Sequence, residues 1–214
     1  MKNVILAVTL LFLTCCSKEK SIALEIQQDS AVITKTDPLG NVPEPVKQSR
    51  IKILQNLNSE IMQTLKSKNY QRFSEFIHPE KGVQFSMYAY VRPGTDKHFG
   101  RKEFTEYIST PTKFTWGEKD GSGDLLVISL KDYLETWVFK RDFTRSEFYL
   151  NEFKGTGNSL NNLQKTYPGL DFTENYIPGS EKYGGMDWNA LRFVFEEFMG
   201  EYYLVAVVND QWTI

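Results

Sequence analysis

Hydrophobic and polar positions alternate most clearly in the last stretch of the chain, DWNALRFVFEEFMGEYYLVAVVNDQWTI (187–214). Two apolar runs flank Met199-Gly200, and the second run ends at the C-terminus. Alternation at period two is the mark of a strand, so the stretch predicts a long β-hairpin. Gly200 supplies the positive φ that a tight turn needs. With the turn centred between Met199 and Gly200, the register places Phe195 opposite Leu204, Phe193 opposite Ala206 and Leu191 opposite Val208. Arg192 then opposes Val207, and Asn189 opposes Asp210. In this register Asp210 shares the apolar face of Leu204 and Val208, where it either lines a cleft or, the favoured reading, pairs with Arg192 or a loop amide.

Upstream the period changes to that of a helix. Ile51, Leu54, Leu57, Ile61 and Leu65 recur at helical spacing, with Ile53 and Met62 widening the stripe. A helix is expected from about Pro45 to Ser67. A second, Tyr70–Ile77, stops at Pro79. Val83–Val91 alternates and is rich in aromatic and β-branched residues, so it reads as a strand. Arg101–Ile108 reads as a short helix, Leu125–Ile128 as a strand, and Ser129 as the cap of a helix over Leu130–Val138 with Asp132 in its first turn. Glu147–Phe153 and Asp171–Ile177 are further strand candidates. The expectation is an α+β domain in which N-terminal helices pack on a curved, mainly antiparallel sheet of five or six strands that ends in the C-terminal hairpin.

Composition alters this picture in two ways. The 214 residues carry a net charge of -2 and no dense basic run, so nucleic acid is not an expected partner. The only two cysteines are Cys15 and Cys16, and the only histidines are His78 and His98. A multi-histidine metal site within one chain is thereby ruled out, and no cofactor is expected.

The start of the chain is unlike the rest. Lys2 gives a basic region, Val4–Leu13 is an apolar run too short to span a bilayer, and Leu13-Thr14-Cys15-Cys16 precedes the polar Ser17-Lys18-Glu19-Lys20. This resembles a bacterial lipoprotein signal, which implies a signal peptide over 1–15 and lipid on Cys16. Residues 16–46 contain Pro38, Pro43 and Pro45 without a sustained period and read as the lipidated N-terminus and a flexible tether. The folded domain is expected over 47–214. The implied location is the bacterial cell envelope, anchored by lipid in the outer membrane and facing the periplasm or the surface.

Candidate chemistry is sparse. There is no nucleophile elbow, phosphate loop, dinucleotide fingerprint or zinc helix. His78 lies where a helix ends before a proline, a position favouring capping of helix carbonyls. Asp120, Ser122 and Asp124 alternate between glycines as calcium loops begin, but the downstream glutamate is missing, and a plain turn is the favoured reading. Asp187, Trp188, Arg192, Asp210 and Trp212 gather at the open end of the predicted hairpin. With His78, Tyr88, Tyr90 and Trp116 they make the candidate pocket.

The segments IHPEKGVQFSMYAYV (77–91), TWGEKDGSGDLL (115–126) and GMDWNALRFVFEEFMGEYYLVAVVNDQWTI (185–214) resemble an uncharacterised family of bacterial lipoproteins and exported proteins. That resemblance implies no activity and no catalytic residue. In the order of its elements the chain is also similar to the nuclear transport factor 2-like cone fold, whose last two long strands form a hairpin under N-terminal helices. The function expected is binding of a small molecule or an envelope protein, and an enzyme is the less favoured reading. The alternative is a hydrolase or isomerase with Asp210 or His78 as general base.

Overall fold

A computed structural model describes residues 44–213, with side chains from Gln48 onward. The signal peptide over 1–15, Cys16 and nearly all of the tether lie outside the described residues. Helix α1 spans Glu44–Lys66 and α2 spans Tyr70–Phe76. Asn69 caps α2 by accepting from the Arg72 N–H at 3.1 Å. On α1 the buried stripe is Leu54, Asn58, Ile61, Met62 and Leu65, while Ile51 and Ile53 remain exposed. Ile53 lies about 100° around the helix from Leu54, off the buried stripe. Asn58 belongs to the stripe because β6 offers it partners. It donates to Asn175 Oδ1 at 2.9 Å, and its own oxygen accepts from Thr173 and Asn175.

The main sheet has six strands: β1 (Val83–Ser86), β2 (Lys97–Phe99), β5 (Glu147–Leu150), β6 (Asp171–Ile177), β7 (Asn189–Phe198) and β8 (Glu201–Gln211). Their order is β2-β1-β8-β7-β6-β5. Every pairing is antiparallel except β1 with β8. The protein is therefore an α+β fold on a mostly antiparallel open sheet. Helix α3 (Arg101–Tyr107) follows β2, and a separate hairpin pairs β3 (Lys113–Glu118) with β4 (Leu125–Ser129). Ser129 caps the next helix, α4 (Leu130–Tyr133), through the Asp132 N–H, and the chain runs on as a π-turn over Leu134–Val138. A last short helix, α5, covers Leu163–Thr166.

The terminal hairpin turns through Met199 and Gly200, both at positive φ. Near the turn the register is the expected one, with Phe195 opposite Leu204. Beyond it the pairing slips by one residue, so that Val194 opposes Ala206, Phe193 opposes Val207 and Arg192 opposes Val208. A β-bulge absorbs one extra residue of β8 at Val205. The correction matters chemically. Asp210 moves off the Leu204 face and onto the face of Arg192.

The two sheet faces carry different layers. Leu191, Phe193, Phe195, Leu204 and Val207 pack with α1–α3, the β3–β4 hairpin and the α4 region. Phe85 lies in that layer between Phe99, Phe104, Trp116 and Tyr133. The other face is covered by the irregular segment 151–170. There Phe153, Leu163, Tyr167 and Leu170 pack on Phe172, Val194, Ala206 and Val208.

Strand β1 is shorter than expected. Past Ser86 the chain bends, and the Ser86 hydroxyl donates to the Tyr88 carbonyl at 2.9 Å. Tyr88 and Tyr90 thus leave the sheet. Strand β5 likewise stops at Leu150, where Asn151 adopts a positive φ.

Candidate functional site

The bend after β1 opens a cavity of about 570 Å3. Tyr88, Tyr90 and Trp116 line it, joined by Met87, Asp96 and the 117–123 turn. Trp116 is fixed from both sides. Its Nε1–H donates to the Ile128 carbonyl at 3.0 Å, and its ring stacks on Tyr133 at 3.6 Å with 2° between planes. The Tyr88 hydroxyl accepts from the Asp120 N–H at 2.8 Å, which leaves its own proton to donate. Trp137 meets the Tyr88 ring edge-on.

Asp96 is the half-buried acid of this cavity. It accepts from the Arg92 N–H at 2.8 Å and forms no salt bridge among the described residues. Burial pushes its carboxyl above the usual range. Behind Trp116, the Tyr133 hydroxyl is fully buried and has no hydrogen-bond partner among the described residues, and burial raises its pKa well above the ordinary value. An unpaired buried hydroxyl costs about 1–3 kcal/mol. Tyr133→Phe is therefore expected to raise the urea midpoint slightly while keeping the Trp116 stack. A clear drop in the midpoint would show that the hydroxyl does have a partner.

The other sequence-predicted residues lie elsewhere. Arg192 and Asp210 form a sealed ion cluster on the opposite face of the sheet. Arg192 Nε donates to Glu174 at 2.6 Å, and Nη2 donates to Asp210 at 2.7 Å and to the Gly155 carbonyl at 2.9 Å. The second Glu174 oxygen accepts from the Lys154 and Gly155 N–H groups. Gly155 is needed here because a Cβ would lie 2.7 Å from the Trp188 ring. Burial raises the Asp210 pKa, opposed by the Arg192 guanidinium. The carboxylate that a regular register sets on the helix-facing side is in fact this cluster's anion.

His78 is 1% exposed, between the rings of Phe198 and Tyr203. It does not cap the carbonyls of α2. Arg101 does so, donating to the Glu75 and Ile77 carbonyls. His78 Nδ1 instead accepts from the Glu80 and Lys81 N–H groups at 3.2 and 2.9 Å, which places the ring proton on Nε2. Burial lowers the His78 pKa. Its stabilising effect is thus complete above the unfolded value of about 6.5 and is lost as pH falls below it. Urea midpoints of the wild type are expected to fall from about pH 7 to about pH 5 more steeply than those of His78→Gln; parallel profiles would rule this out.

Asp187, Trp188 and Trp212 come together in a third place, a groove at the open end of the hairpin. Asp187 accepts from the Ser180 N–H and hydroxyl. The 119–124 turn closes as a plain hairpin turn, with the Gly123 N–H bonded to the Lys119 carbonyl. Among the described residues no three His, Cys, Asp or Glu side chains group closely enough for a metal ion, and no helix is long and apolar enough to cross a membrane.

Sequence reasoning missed Glu174, Asp96, Tyr133, Lys140 and Arg141. For Glu174 a signal existed, since it and Arg192 are opposite charges on two strands that follow one another in the chain. No protein-family model and no curated protein matches the chain.

Proposed function

We propose that this is a lipid-anchored protein of the bacterial cell envelope, tethered through Cys16 to the outer membrane, whose domain binds a small molecule or an envelope protein at the Tyr88–Tyr90–Trp116 cleft. The observation that carries the binding reading is the cleft itself. It combines aromatic faces with a half-buried Asp96 that forms no salt bridge among the described residues, the mixture of apolar walls and few polar groups typical of ligand sites. The sequence features that support anchoring are the Leu13-Thr14-Cys15-Cys16 motif and the proline-containing tether. The finer assignment of the fold, nuclear transport factor 2-like, is supported by helices on one face of a sheet whose last two strands form the long hairpin. Such folds carry many functions, so the fold itself selects none.

Two experiments test the reading. Cys16→Ser is expected to abolish palmitate labelling and release the protein from the membrane fraction; retained label would end the anchor assignment. A photo-crosslinking aromatic residue in place of Tyr90 is expected to trap an adduct in cells, whereas the same residue at the exposed Met199 does not. Equal adducts at both positions, or none at Tyr90, would remove the cleft from consideration.

A further inference from the structure

A second groove, about 300 Å3 and far from Asp96 in the order of the chain, occupies the open end of the β7–β8 hairpin. That volume is at the small end of ligand pockets. Three segments build it. The chain after the π-turn brings Lys140 and Arg141, β7 begins with Asn189, and β8 ends with Gln211, followed by Trp212.

The polar groups here are incompletely used. Lys140 is an exposed residue whose ammonium lies 5.6 Å from the Trp137 ring centroid and donates to Gln211 Oε1. Arg141 Nη1 donates to the Asp187 carbonyl at 2.9 Å. Neither cation forms a salt bridge among the described residues. The Asp187 carboxylate feels the Arg141 charge but accepts its hydrogen bonds from Ser180. Asn189 is 6% exposed and donates to the Asp187 carbonyl, yet its Oδ1 is buried with no donor among the described residues. Trp212 keeps 37% of its surface open. Desolvation and the neighbouring Arg141 lower the Lys140 pKa to about 8.

We propose that this groove binds a carboxylate-bearing sugar: its ring stacks on Trp212, its hydroxyls meet the Asn189 and Gln211 amides, and its carboxylate lies between Lys140 and Arg141. Each part answers a feature on the groove wall. Lys140 and Arg141 form no salt bridge among the described residues, and the acid that feels Arg141, Asp187, is already bonded to Ser180, so the pair calls for an anion. The buried Asn189 oxygen lacks a donor, which a hydroxyl supplies. The electron-rich face of an exposed indole suits the polarised C–H face of a pyranose. A neutral sugar leaves both cations unused, and an aryl carboxylate leaves the Asn189 acceptor unmet. The proposal is independent of the Tyr88 cleft.

The test is a titration of the full chain, in detergent, with glucuronate as probe, read by saturation-transfer NMR on the ligand. Glucose and benzoate are the controls. Saturable glucuronate binding is expected, at least about tenfold tighter than either control, a difference worth 1.4 kcal/mol. Lys140→Met and Trp212→Ala are each expected to weaken it about tenfold. Affinity is also expected to fall as pH rises through about 8, where Lys140 loses its proton beside Arg141, and Lys140→Arg flattens that profile. Should Lys140→Met fail to fold, Arg141→Gln carries the same expectation. No saturable glucuronate binding, equal binding of glucose, or binding unchanged in the folded cation variants would overturn the proposal.

Discussion

Arg192→Met is expected to destabilise the domain by about 3–5 kcal/mol, the cost typical of breaking a buried ion pair by removing one partner. That is a large share of the 5–15 kcal/mol that holds most domains folded. Glu174 and Arg192 are fully buried and Asp210 nearly so, so neither carboxylate left behind has water to turn to. The Lys154 and Gly155 N–H groups still bond to Glu174, but Asp210 retains only the Gln211 N–H. Asp210→Asn is expected to cost much less. It changes the cluster from one cation with two anions to a balanced pair, and Arg192 keeps Glu174. The triple change Arg192→Met, Glu174→Gln, Asp210→Asn is expected to recover part of the loss, because no unpaired charge remains. Urea denaturation of the set reads the ordering directly. A tolerated Arg192→Met, within about 1 kcal/mol of wild type, would mean that water reaches the cluster.

Phe85→Ala is the second large effect, expected to cost about 3–5 kcal/mol. Phe85 is 1% exposed and meets Phe99, Phe104, Trp116 and Tyr133 with ring centroids 6.1 to 6.4 Å apart. These neighbours come from β2, α3, β3 and α4. No single element can close over the space left, so a cavity term adds to the lost transfer energy. Phe85 belongs to the layer facing the helices and Arg192 to the layer under the 151–170 segment. The two losses are therefore expected to add within about 0.5 kcal/mol. Strong coupling between them would show that the sheet transmits strain from one layer to the other.

Much of this architecture could be read from the residues. The period-3.6 stripe from Leu54 to Leu65 located α1 to within a residue at each end, and Met199-Gly200 fixed the hairpin turn. What escaped was the register beyond Val205. Leu204 to Val208 is an unbroken apolar run, so no polar residue marks the point where the alternation changes phase. The pairing of Asp210 with Arg192 was among the readings the residues allowed, whereas Glu174 as the second partner was not. Of the five aromatics expected in one cleft, Tyr88, Tyr90 and Trp116 are together, for a different reason, while Trp188 and Trp212 lie in another groove. The run that reads as strand to Val91 turns out of the sheet at Ser86, and nothing local distinguishes residues 87–91 from strand. Lys140 and Arg141 carried no signal, since a basic pair after a helix is ordinary.

The bulge also has a consequence for how this hairpin tolerates changes of length. Strand β8 spends eleven residues where β7 spends ten. The surplus is Val205, which faces the same layer as Ala206. Val205 is thus the spare position of the strand. Deleting it leaves Ala206, Val207, Val208, Asn209 and Asp210 each on the side they now occupy. Deleting any one residue from Val207 to Asn209 instead carries the positions beyond it to the wrong layer, unless the bulge itself dissolves to compensate. The hairpin can therefore lose one residue anywhere in this run only by using up the same single reserve, and it can do so once.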